Sequence, residues 1–198
     1  MASQQLKNIF LSASIPDIPG DRYSNTADFI AIRDSVRALA TIVMPEYRLI
    51  WGGHPSITPL ITYVLRFLNL NLNNHVTLYQ SSSFAGQFPD ENVEIENIVI
   101  VDRKKSISES IKVMRQQMIN DNLYVAGIFI GGMDGVIEEY KIFKDRHPNS
   151  IVLPIASTGG AARIIYENFE TSLSPRLKYD YAYMSLFRDL LIEKVDII

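Results

Sequence analysis

Glycines and carboxylates crowd the stretch GIFIGGMDGVIEEY, residues 127 to 140, where Gly131, Gly132, Met133 and Gly135 are followed by Glu138 and Glu139. A carboxylate in such a place can accept hydrogen bonds from ribose hydroxyls or a base. It can also stabilise the positive charge that develops at an anomeric carbon while an N-glycosidic bond breaks. A plainer reading is a tight turn into a helix that carries acids in its first turns because the helix dipole favours them there. Adjacent helical positions point about 100° apart, so at most one of the two acids faces a cleft. Asp134, inside the turn, suits an Asx turn or a helix cap.

Four other stretches carry residues of the same kind. In STGGAAR, residues 157 to 163, Thr158 is placed to cap a helix and the amides of Gly159 and Gly160 to meet an anion, although a capping threonine before small residues also starts helices that bind nothing. GGHPSITP offers Gly52 and Gly53, which permit close backbone approach, and His54, which can donate to a phosphate or hold a turn. QSSSF brings the hydroxyls of Ser81, Ser82 and Ser83. SASIPDIPGDRY brings Ser12 and Ser14, and ends on Arg22 and Tyr23, a pair that can clamp phosphate and stack on a base or pack its loop on the sheet.

The elements that must position these residues alternate in period. Runs of β-branched and aromatic residues at 9–14, 48–53, 76–81, 97–102, 125–132 and 150–157 read as buried strands. Segments of helical period fall at 27–42, 57–69, 106–120, 134–146, 159–169 and 181–194. Strand, helix, strand, repeated five times with short connections, predicts right-handed β-α-β units, hence a Rossmann-like α/β fold: an open, mainly parallel sheet with helices on both faces. All five stretches then lie in strand-to-helix loops at the carboxyl edge of one sheet, where ligands of such folds bind. No composition shift or repeat divides the 198 residues, which are expected to form a single domain. The late segment YDYAYMSLFRDLL places aromatics and leucines at helical spacing and reads as core before interface.

Composition narrows the function. A formal net charge of -3 leaves no general attraction to a polyphosphate backbone, so nucleic acid is not an expected partner, and the cluster Arg103, Lys104, Lys105 reads as a solvated loop. The absence of cysteine excludes disulfides, thiolate metal sites and a cysteine nucleophile. His54, His75 and His147 have no metal-ligand spacing, and no metal and no cofactor are expected. No stretch approaches the roughly 20 apolar residues that span a bilayer, so no membrane partner is expected and the protein reads as cytoplasmic.

Taken together the chain resembles the SLOG superfamily, named for its Smf/DprA and LOG phosphoribohydrolase relatives, over most of its length. The LOG pattern pairs a glycine-rich turn with a helix bearing a Met-Arg neighbourhood, then an apolar strand and P-G-G-x-G-T-x-x-E. Here the match runs through Gly52 and Gly53, VMRQQM at 113–118 and FIGGMDGVIEEY at 129–140. The resemblance assigns Arg115 the place of the family's active-site arginine, Glu139 that of its glutamate, and Gly131, Gly132 and Gly135 the phosphate-side turn. Without it, Arg115 would read as a surface residue. Ile130 stands where the pattern has proline, Met133 and Asp134 add one residue, and Val136 replaces the threonine that would contact phosphate. LSAS-P, GGHP-ITP, IGGM-GV-EE and STGGAA resemble in particular the SLOG cluster 3 group of conflict systems, found with TIR, SIR2 or membrane-pore effectors.

The resemblance implies a binding module for a nucleotide-derived small molecule, such as an NAD or cyclic ADP-ribose relative. Glycine amides and hydroxyls would hold its phosphates and Glu139 its ribose or base. Occupancy would be reported to an effector protein on a separate chain or through a homo-oligomer. The rival is an enzyme, an N-glycosidase or phosphoribohydrolase in which Arg115 and Glu139 are catalytic. A structural or sequestering protein is the third reading.

Overall fold

A computed structural model describes residues 6–17, 19–68, 75–170 and 172–195. Six strands, β1 (Asn8–Ser14), β2 (Arg48–Gly52), β3 (Val76–Ser81), β4 (Ile98–Val101), β5 (Tyr124–Gly131) and β6 (Ile151–Ile155), form one sheet in the order β4-β3-β2-β1-β5-β6. Every pairing is parallel. The helices are α1 (Phe29–Val43), α2 (Thr58–Leu68), α3 (Ile107–Asn120), α4 (Asp134–Arg146) and α5 (Gly160–Asn168), with the short α6 (Arg176–Tyr179), α7 (Tyr183–Phe187) and α8 (Glu193–Val195) near the end.

Alternation along the strands divides the interior into two cores. Ile9 and Leu11 of β1, Leu49 and Trp51 of β2, and Ile128 and Ile130 of β5 pack with Ile32 and Leu39 of α1, Ile61 of α2 and Phe187 of α7. Phe10, Ile50 and Phe129, from the alternate positions, pack with Met118 of α3, Phe143 of α4 and Ile165 of α5. The second core is aromatic: Phe10 stacks on Phe143 with ring centroids 5.3 Å apart, and Gly127 leaves the room, since a β-carbon there would lie 2.7 Å from the Phe143 ring.

Two details differ from the sequence expectation. No α-helix joins β3 to β4; the crossover is made by 3-10 turns at Ser82–Phe84 and Asp90–Glu94, so the helical unit does not repeat five times. The expected helix at 181–194 is broken into α7, a π-helical turn at Arg188–Ile192 and α8, with α6 before it. Arg176 of α6 pairs with Asp180 at 2.9 Å and with Asp189 of the π-turn at 2.7 Å, tying these pieces together. Leu177, Tyr183, Leu186, Phe187 and Leu191 are buried in the first core. No helix among the described residues is long and apolar enough to cross a membrane.

Candidate functional site

The strand order reverses between β1 and β5. β1 leads through α1 to β2 on one side, while β5 arrives later on the other. At such a switch point the loops at the carboxyl edge diverge and leave a crevice. Ser12 and Ser14 share the strand face of Phe10, two and four residues further along β1, and both are buried. They therefore point to the side of the sheet covered by α3 and α4.

Helix α4 begins immediately after the turn that ends β5, and Glu139 lies in its second turn facing the sheet. The Ser12 hydroxyl donates to Glu139 Oε2 at 2.5 Å, and Arg115 Nε of α3 donates to Glu139 Oε1 at 3.1 Å. Both side chains of this ion pair are largely withdrawn from water, with 18% of Arg115 and 14% of Glu139 exposed. Glu138, 61% exposed, reaches back to Arg115 Nη1 from outside. Burial pushes the Glu139 carboxyl above its ordinary range, a push opposed but not cancelled by the Arg115 charge and the Ser12 hydroxyl. Gly135, in the first turn of α4, lets the arginine pass, because a β-carbon there would collide with the guanidinium.

Arg115, Gly135 and Glu139 form one wall of a cavity of about 320 Å³ across the ends of β1, β2 and β3. Of the residues predicted from sequence to bind ligand, Ser14, Gly52, Gly53, His54 and Ser81 line it too, while Ser12 stands behind Glu139. His54 is held through Nδ1 by the Ser56 hydroxyl at 2.8 Å, and burial lowers its pKa, which keeps the ring neutral at pH 7.

The remaining predicted residues lie outside the cavity wall, with their polar groups engaged elsewhere in the protein. Arg22 and Tyr23 both bond to Asp134 Oδ1, the arginine at 2.6 Å, and so tie the β1–α1 loop to the start of α4. The Ser82 hydroxyl accepts from the Arg103 amide at 2.7 Å. Met133 is the N-cap residue of α4 and packs against the second core. Thr158 does not cap α5. It is fully buried, donates to the Ile155 carbonyl at 2.6 Å and accepts from the Gly131 amide at 2.9 Å.

The amides expected to meet an anion are also spent internally. Gly132 donates to the Ser14 carbonyl, Gly159 to Ala156, Gly160 to Thr26 Oγ1 and Gly53 to Tyr79. The positive φ of Gly131, Gly132, Gly159 and Gly160 serves close contact between the two turns: a β-carbon on Gly160 would lie 2.7 Å from the Gly132 carbonyl oxygen. The cationic group that lines the cavity is therefore Arg115, not a cradle of amides.

Sequence reasoning missed the apolar side of the cavity, made by Phe84 and Phe88 after β3 and by Ile111 and Met114 of α3. It also missed Gln80. The helical spacing of Ile111, Met114 and Arg115 was the one available signal, because it sets all three on one face of α3.

A sequence model of the SLOG cluster3 family matches residues 22–191. The chain belongs to the SLOG cluster3 family. It is thus a nucleotide-related SLOG domain, and the match takes in α1 through α7 and all but the last residue of the π-helical turn, with every cavity residue except those of β1. No curated protein sequence matches it. A solved structure described as the X-ray structure of TM1055, a structural genomics target, superposes on the SLOG chain with a TM-score of 0.55 at 13% identity, covering 98% of this chain and 100% of that one. At that identity the likeness is one of fold.

Proposed function

We propose that this SLOG domain is the ligand-sensing module of a conflict or defence system, cytoplasmic, binding a nucleotide-derived molecule of the NAD or cyclic ADP-ribose kind in the cavity over β1, β2 and β3. The observation that carries the reading is the meeting of Arg115 and Glu139, 24 residues apart, as a largely buried ion pair in the wall of that cavity. A cation and a carboxylate side by side suit a phosphorylated ribose, with Arg115 taking the anion and Glu139 accepting from sugar hydroxyls. At about 320 Å³ the space is at the lower end of the roughly 300–1,000 Å³ usual for small-molecule sites. Binding would exchange the internal Arg115–Glu138 and Arg115–Glu139 pairs for ligand contacts, loosening α3 from α4. That is a change an effector on a separate chain or a second copy of this chain can read.

Cleavage of an N-glycosidic bond is the second reading, favoured by the raised Glu139 carboxyl beside Arg115. Val136, buried where the hydrolase pattern places a hydroxyl, weighs against it. Incubating the protein with AMP, NMN, NAD and cyclic ADP-ribose isomers separates the two, with chromatography detecting released base and calorimetry detecting binding. Binding without turnover is the expected result. Release of base abolished by Glu139→Gln would establish the enzyme instead, and no binding with any of these would overturn both.

A further inference from the structure

The buried side-chain atoms without a hydrogen-bond partner among the described residues are Asn8 Oδ1, His75 Nδ1, Gln80 Nε2 and both amide atoms of Asn92. Of these residues, Gln80 alone lines the cavity. It is the fifth residue of β3 and only 3% exposed. Its amide lies against Gly53, where a β-carbon would collide with Nε2 and Cδ lies 2.6 Å from the position that β-carbon would take. The absence of a side chain at residue 53 is thus what lets the Gln80 amide occupy this place. A donor withdrawn from water and left unpaired costs stability in the empty protein, and leucine at this position would avoid the cost.

We infer that Gln80 is a specificity-determining residue of this site: a turn of its carboxamide from its place against Gly53 presents the nitrogen to an acceptor on the edge of the ligand's planar heterocycle, a nucleobase. The surroundings suit a flat aromatic ring, since Phe84, Phe88 and Met114 share the same cavity. β3 is two strands from β1, about 10 Å at the usual spacing, so a molecule touching both Gln80 and the Ser14 side of the cavity must extend beyond a ribose. A glutamine amide next to a base edge discriminates by hydrogen bonding, which rejects a ligand lacking the acceptor more sharply than apolar contact does.

This inference rests on the reading of the cavity as a nucleotide site, and AMP and ribose 5-phosphate together test the two separately. Calorimetric titrations would compare the wild type with Gln80→Leu and with Gly53→Ala, whose methyl pushes the amide aside. Both variants should bind AMP about tenfold more weakly while their affinity for ribose 5-phosphate stays within about twofold. The melting temperature of ligand-free Gln80→Leu should be no lower than that of the wild type, because an unpaired buried donor has been removed. Unchanged AMP affinity in Gln80→Leu, or an equal loss for both probes, would overturn the role of Gln80 and leave the nucleotide site standing. Failure of the wild type to bind either probe would overturn the site itself and Gln80's role with it.

Discussion

Glu139 is held between a neutral donor, Ser12, and a cation, Arg115, and its burial still dominates its protonation. Ser12→Ala removes a hydrogen bond to a charged, buried group, worth about 1.5–3 kcal/mol, and should lower stability by that order in denaturant titrations at pH 7. The raised carboxyl also sets a pH dependence. With the folded-state pKa above the unfolded one, the folded chain binds more protons between the two values. The contribution of this group is therefore fully present below the ordinary carboxyl range and is lost as pH rises through the raised pKa. Melting curves of the wild type and Glu139→Gln compared from pH 4 upward should show the difference between them shifting in favour of the variant as pH rises. His54 acts in the opposite sense. Its lowered pKa means that stability is lost as pH falls below about 6.5, where the unfolded histidine takes up a proton first, and His54→Leu should reduce that loss.

At the scale of elements, the turn after β5 is braced by the turn after β6. Thr158→Val keeps the shape of the side chain but leaves the Gly131 amide without its acceptor in a buried place, and should cost about 1–3 kcal/mol in equilibrium unfolding. Gly127→Ala sets a methyl against the Phe143 ring and should cost a similar amount, about 1–3 kcal/mol, through overpacking of the aromatic core. The strands were legible because each is a short run of β-branched and aromatic residues closed by glycine or a polar residue, and α1 to α5 because their apolar residues recur at helical spacing. The late helices were not. Arg176–Tyr179 is a single turn too short to show a period, and the spacing of apolar residues does not distinguish the π-turn at Arg188–Ile192 from a continuing α-helix. In the site, Glu139 and the glycine turns announced themselves by residue type, and Arg115 only through resemblance. Gln80 sits in VTLYQS without a signal, because its importance comes from a gap at Gly53, just past the end of the neighbouring strand β2. Thr158 was visible as a hydroxyl but misread as a cap, because the carbonyl and amide it joins come from two different strands.

For the whole molecule, the two cores fix the sheet between helical layers, and the cavity lies at the carboxyl edge over β1, β2 and β3, where α3 and α4 converge. The apolar wall and Gln80 lie toward β3 and the ion pair toward β1 and α4, and the two helices that line the cavity, α3 and α4, belong to one layer. The titration of Arg115→Ala with AMP, set beside the wild type, tests the central claim most directly, namely that Arg115 is the anion-binding group of the cavity. A loss of tenfold or more in affinity, about 1.4 kcal/mol, is expected with the fold intact by circular dichroism. Equal affinity in the two proteins would contradict it.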